Sequence, residues 1–229
     1  MRAFTFENAT KIYFGGGCVK EHLLEAVKPY GETVMLAYGG GSIKTNGIYQ
    51  EVMDVLKLAG KQVIEFSGIM PNPTYSKVME GKKVVQENKV DVILSVGGGS
   101  VMDCSKAISM AAATDKDVWE EYWIKKGEID FEPVPVGVIV TVVGTGSEVN
   151  GEGVITHEEQ KIKTSRNYPR CNPVFAMMDP KYTYTVSPLQ TAAGGFDTLS
   201  HVMETYFSAP DEDNLSDAIS EALMRSIIE

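Results

Sequence analysis

The chain has 229 residues, 43% of them hydrophobic, with 21 basic and 31 acidic side chains and a formal net charge of −10. That length suffices for one large domain or two smaller ones, and the acidic balance argues against a general binder of nucleic acid or anionic membrane. No run approaches the roughly 20 apolar residues of a membrane span. The opening stretch MRAFTFENATKIYFGGG lacks the basic and apolar regions of a signal peptide. Cys18, Cys104 and Cys171 are too scattered for a disulfide framework or a zinc cluster. A cytoplasmic location is expected.

TVMLAY (33–38) predicts a strand that ends in GGGSIKTNG. Val52, Val55, Leu56 and Ala59 then recur at the spacing of a buried helix stripe. KQVIEF (61–66) is a second strand, closed by the turn-rich PNPT, and a polar-faced helix runs to about Asn88. VDVILSV (90–96) is a third strand of the fully buried type, followed by GGGS and an Ala- and Ser-rich helix. Strands alternating with helices in this way imply βαβ units around a mostly parallel, Rossmann-like sheet. VPVGVIVTVV (134–143) continues it, 150–166 predicts a hairpin with a charged turn, and VFAMMDP (174–180) is the last strand. From Ser187 the pattern is helical, and SDAISEALMRSIIE carries no closing Gly or Pro. The expected organisation is an α/β dinucleotide-binding domain over 1–185, then the beginning of an all-helical domain over 186–229.

Two glycine loops carry candidate chemistry. VGGGSVMDCSK (96–106) lies at a strand-to-helix junction, where backbone N–H groups and the helix dipole favour a pyrophosphate. It matches neither G-x-G-x-x-G nor the P-loop; a capping box of Ser100 and Asp103 explains the same residues and is compatible with phosphate binding. YGGGSIKTNG (38–47) has no Asp or Glu through Gln50, so nothing there matches the acid that holds the ribose of NAD. Gly39 and Gly40 leave room, Ser42 offers a hydroxyl and Lys44 a charge, features suited to a 2′-phosphate or to a flexible turn. In TVVGTGSEVN (141–150), Thr141, Thr145 and Asn150 can bond a ribose, phosphate or carboxamide, Glu148 can fix the loop, and Lys163 on the hairpin can reach a phosphate. Turn chemistry and solvated charge are the bland alternatives.

GGFDTLSHVMETY (194–206) places Asp197 and His201 four residues apart. Such residues share a helical face, their Cβ atoms roughly 5–6 Å apart, and oxygen plus imidazole suits a divalent first-row metal. The other reading is the wet side of an ordinary amphipathic helix.

The segments YGGGSIKTNG, PNPT, VGGGSVMDCSKAI, TGSEVN, MDPKYTYTVSP and AAGGFDTLSHVMETY, in this order and spacing, resemble the iron-containing (group III) alcohol dehydrogenases across nearly the whole chain. The YGGGSIK loop is similar to the NADPH-dependent butanol dehydrogenase branch. The resemblance implies that Gly39, Gly40 and Ser42 serve the 2′-phosphate end of NADP(H), with Asn72 close to it. It implies that Gly97, Gly98, Gly99, Ser100 and Asp103 surround the pyrophosphate, and that Thr141, Thr145, Asn150 and Lys163 line the route to the nicotinamide. Asp197 and His201 become two of four protein ligands to a catalytic metal, Fe²⁺ with Zn²⁺ as the alternative. Glycines 194 and 195 would let their helix approach the nucleotide domain. The implied reaction is hydride transfer between nicotinamide and a small alcohol or aldehyde of the butanol/butanal kind, in a homodimer without nucleic-acid or membrane partners. Family members bring two further histidine ligands from later helices; His22 and His157, read as surface residues, match neither. The chain is therefore expected to be C-terminally truncated and to hold half a metal site. The alternatives are a nucleotide-binding fragment without catalysis, or a relative such as a glycerol dehydrogenase or a dehydroquinate-synthase-like lyase.

Overall fold

A computed structural model describes residues 7–208 and 215–229. Residues 1–6, part of the stretch read against a signal peptide, and 209–214, inside the stretch read as helical, lie outside the described residues. Six strands form one parallel sheet: β1 (Lys11–Phe14), β2 (Thr33–Tyr38), β3 (Gln62–Phe66), β4 (Val92–Gly97), β5 (Val136–Val140) and β8 (Phe175–Met178). Their spatial order is β1-β8-β5-β4-β2-β3, with every pairing parallel. β6 (Glu152–His157) and β7 (Ile162–Asn167) form the separate antiparallel hairpin. The Rossmann-like parallel α/β reading holds. β1 has no counterpart in the sequence reading: it is four residues long and mostly exposed, an edge strand without an apolar run.

The helices cover both faces, and alternation along the central strands decides which side chain goes where. Val34, Leu36 and Tyr38 of β2, with Val92, Leu94 and Val96 of β4, pack with α1 (Cys18–Val27) and α3 (Ile48–Leu58). Met35, Ala37 and Ile93 point to the opposite face, toward α4 (Tyr75–Asn88) and α5 (Gly99–Ala112). In the α3 stripe, Val52 and Leu56 are fully buried, whereas Val55 and Ala59 sit at its margin. A π-helical turn, Trp119–Ile124, inserts Trp119, Tyr122 and Trp123 under the hairpin. Gly137 sits opposite Phe175 in register, and a Cβ there would stand 2.2 Å from that ring. The strand read as 134–143 is five residues long, Val136–Val140.

The short α2 (Ser42–Thr45) lies in the loop after β2, while α6 (Pro188–Tyr206) and α7 (Leu215–Ile228) follow the sheet. Ser187 caps α6, its hydroxyl accepting from the Gln190 amide at 3.3 Å, with Pro188 in the first turn. No helix among the described residues is long and apolar enough to cross a membrane.

Candidate functional site

In a doubly wound sheet the ligand crevice lies beyond the carboxyl ends of the strands, where the strand order reverses. Here β2 and β4 are neighbours, and the chain moves outward from β2 to β3 but from β4 to β5 on the other side. The segments that follow β2, β4 and β5 begin at Gly39, Gly98 and Thr141 and fall within the three stretches singled out from sequence, 38–47, 96–106 and 141–150.

The α5 terminus is open. Its N-cap is Gly98, with no side-chain cap bond; the Val101 amide turns back to the Gly98 carbonyl at 3.0 Å, which leaves the first two amides of the helix, those of Gly99 and Ser100, without helical partners. This corrects the capping-box reading. Ser100 is already inside the helix, and the Asp103 carboxylate is engaged elsewhere: Oδ1 accepts from Ser147 Oγ at 2.6 Å and Oδ2 from the Val154 amide at 3.2 Å. Burial pushes the Asp103 carboxyl above its usual range, against the pull of Lys106 and these two donors. The glycines are shaped by close approach: an added Cβ would stand 2.5 Å from Val101 at Gly97, 3.0 Å from Val142 at Gly98 and 2.7 Å from Thr145 at Gly99.

One cavity of about 440 Å³ brings most of the expected residues together. Asn72, Gly99, Ser100, Asp103, Thr145, Asn150, Lys163, Asp197 and His201 all line it, joined by Pro73, Ser147, Glu152 and Val154. Asn72 adopts the left-handed conformation (φ 55°), and its side-chain oxygen accepts from Lys163 Nζ at 2.6 Å. Gly39, Gly40, Ser42, Gly97, Gly98 and Thr141 are not among the lining residues. Thr141 stays next to them through its amide, which donates to the Gly97 carbonyl at 3.0 Å, and a Cβ on Gly39 would lie 3.8 Å from Val101 of α5.

Asp197 and His201 sit one turn apart on α6 and face this cavity together; His201 also borders a second hollow of about 610 Å³. The close approach expected of this helix is made by Gly194, where a Cβ would be 2.8 Å from the Val143 carbonyl. Gly144 opposite it, at φ +134°, would bring a Cβ within 3.2 Å of Gly194 and 3.6 Å of Asp197 Oδ2. Gly195 touches nothing in this way. Among the described residues, no group of three or more His, Cys, Asp or Glu side chains converges as a metal cage. His22 and His157 are half-buried rather than free at the surface: His22 stacks on Tyr13 at 4.8 Å, and His157 lies against Tyr75 and Trp119 at 5.2 and 4.9 Å.

The charge in the β2 loop differs from the local reading. No acid lies within 38–50, yet Glu65 of β3 reaches the loop from the adjacent strand. Its carboxylate accepts from Tyr38 (2.5 Å), Tyr49 (2.6 Å) and Lys44 (3.0 Å). Lys44 also lies over the Tyr49 ring at 4.5 Å, so its charge is shared rather than free. The two tyrosine hydroxyls, then Lys44, hold the Glu65 carboxyl at about 2. A depressed carboxyl contributes stability that is complete above its unfolded value and lost as pH falls through the folded one. Glu65→Gln should therefore flatten the loss of melting temperature between about pH 4.5 and 2; parallel acid limbs for wild type and variant would refute the coupling.

The parallel sheet, the uncapped α5 terminus and the Asp197–His201 pair make this an α/β protein whose strand-end loops and one face of α6 meet in a single cavity. The family model for iron-containing alcohol dehydrogenases matches residues 9–180. The chain belongs to that family. It is 42% identical to the probable NADH-dependent butanol dehydrogenase 1 of Bacillus subtilis (strain 168), over all of this chain and 58% of that protein. It is 37% identical to the NADPH-dependent aldehyde reductase of Escherichia coli (strain K12), again over all of this chain and 58% of the relative. The crystal structure of NADH-dependent butanol dehydrogenase A from Thermotoga maritima superposes with a TM-score of 0.91 at 38% identity, covering 100% of this chain and 56% of that one. The chain thus spans a little over half the length of these relatives.

Proposed function

We propose that this chain is the nucleotide-binding part, with half of the metal site, of a cytoplasmic alcohol dehydrogenase or aldehyde reductase that uses NADP(H) and acts on a small primary alcohol or aldehyde such as butanal. One observation carries the reading: a single cavity joins the uncapped terminus of α5 to Asp197 and His201. The donor chemistry fits both groups. Glycines without room for a Cβ and free helix amides suit a pyrophosphate, and a carboxylate with an imidazole suits Fe²⁺ or Zn²⁺. In this reading 1–185 binds the dinucleotide and 186–229 opens the helical metal domain, in a homodimer. A divalent ion at such a site supplies Lewis acidity toward an alcohol or carbonyl oxygen. The chain's own part is alignment: Gly97, Gly98, Gly99 and Ser100 seat the pyrophosphate, and Thr141, Thr145, Asn150 and Lys163 orient the nicotinamide half.

The preference for NADPH over NADH rests on Ser42 and on the missing acid within the loop. Because Lys44 shares its charge with Glu65, the preference should be modest. Fluorescence titration of both reduced cofactors tests it, and tighter NADH than NADPH binding in wild type would remove it. Gly39→Asp should weaken NADPH more than NADH, since the new carboxylate faces the 2′-phosphate. Gly40→Asp is the companion variant, because a Cβ at Gly40 meets nothing within 4 Å whereas one at Gly39 meets the Ile69 carbonyl at 3.2 Å. A second reading, a nucleotide binder without turnover, is favoured by the two-donor metal pair. NADPH oxidation with butanal separates the two.

A further inference from the structure

Among the described residues Lys106 is the one buried lysine, 1% exposed, and neither glycine loop nor metal pair accounts for it. It stands seven residues beyond Gly99 and three beyond Asp103, so the three share one face of α5. Its ammonium donates to Ser147 Oγ (2.7 Å), the Ser147 carbonyl (2.9 Å), the Asn150 carbonyl (3.1 Å) and Asn150 Oδ1 (3.2 Å). Ser147 Oγ then donates to Asp103, and Asn150 Oδ1 accepts the Glu152 amide at 3.0 Å. Ser147, Asn150 and Asp103 line the cavity, whereas Lys106 does not. It lies behind the wall, and all four of its hydrogen bonds go to Ser147 and Asn150, which form it.

We propose that Lys106 is a positioning residue of the nucleotide site, fixing the 147–150 turn so that Thr145, Ser147 and Asn150 present their polar atoms to the nicotinamide half of the cofactor. The inference rests on the nucleotide reading above and adds a residue to it. Packing alone does not call for an ammonium here, because a methionine fills similar space without the cost of burying a charge. That cost is visible, since burial pushes the Lys106 amine down to about 8 despite Asp103 at 3.8 Å. What the charge supplies is direction: several convergent donors hold two carbonyls and two side chains of an otherwise irregular turn. An apolar side chain cannot do this, and a shorter amide can do it only in part.

The test titrates NADPH and adenosine 2′,5′-bisphosphate into wild type, Lys106→Met and Lys106→Gln, with circular-dichroism melting to establish folding. The bisphosphate carries the adenosine end but no nicotinamide. Lys106→Met should weaken NADPH roughly tenfold or more while shifting the bisphosphate by less than about twofold, on the scale of lost charge-assisted hydrogen bonds. Lys106→Gln, which keeps a donor, should recover part of the loss. Unchanged NADPH binding in folded Lys106→Met overturns the proposal, and so does an equal loss of both ligands, which marks general loosening. If Lys106→Met does not fold, Lys106→Gln decides by the same two ligands. A wild type that binds neither ligand overturns the nucleotide reading itself, a result distinct from wild-type binding that the variants leave intact.

Discussion

Gly98→Val should abolish NADPH binding, a loss of roughly a hundredfold or more on the scale of about 1.4 kcal/mol per tenfold, while the sheet stays folded. The backbone at Gly98 (φ −96°, ψ −169°) is extended and open to any residue, so the variant carries no conformational strain. Its cost is steric. A Cβ there already stands 3.0 Å from Val142, and two further methyls add bulk at the N-cap of α5, the turn a pyrophosphate would approach. Ser100→Leu is the second variant, since Ser100 lines the cavity and is half-buried. Isothermal titration with NADPH, beside melting curves, gives the answer. Wild-type affinity in either folded variant would take this loop out of the site.

The second large effect concerns metal. With two donors on α6 and no third His, Cys, Asp or Glu converging among the described residues, the 229-residue chain should retain well under one metal per chain after dialysis, because sites normally use three or more protein ligands. Excess Co²⁺ should still develop visible ligand-field absorption, and Asp197→Ala or His201→Ala should each abolish it. Near-stoichiometric iron or zinc in the dialysed chain would overturn the two-donor argument. Cobalt absorption that survives both substitutions would place the metal elsewhere.

What the sequence reveals depends on how local each determinant is. β2 and β4 are legible because runs such as VMLA and VILSV are buried on both faces. Asp197 and His201 are legible because helical periodicity turns a spacing of four into one face, and Gly194 because a glycine before such a pair signals close approach. β1 is not, since its partner β8 lies more than 160 residues away and its own residues are half in water. The Glu65 contact is hidden for the same reason: the loop of 38–50 contains no acid, and only the pairing of β2 with β3 brings one to Tyr38 and Lys44. Ser100 and Asp103 show the opposite error. A capping pattern read along the chain is displaced by tertiary partners, Ser147 and Val154, which take up both oxygens of Asp103. Lys106 belongs to the Asp103 network, and its role depends on a turn forty residues away.

The approach of α6 at Gly194 bears on how the two halves of the cavity communicate. This 19-residue helix has no fully buried residue, and its closest backbone seat is the Val143–Gly144 segment at the end of β5. That segment continues into Thr145, the residue against which Gly99 closes. The pivot of the Asp–His helix and the rim of the glycine cradle are thus consecutive links of one chain. Any effect that a ligand in one half has on affinity in the other would have to pass through this short stretch of backbone. Thermodynamic linkage makes that exchange symmetric: whatever factor the first ligand imposes on the second, the second returns to the first.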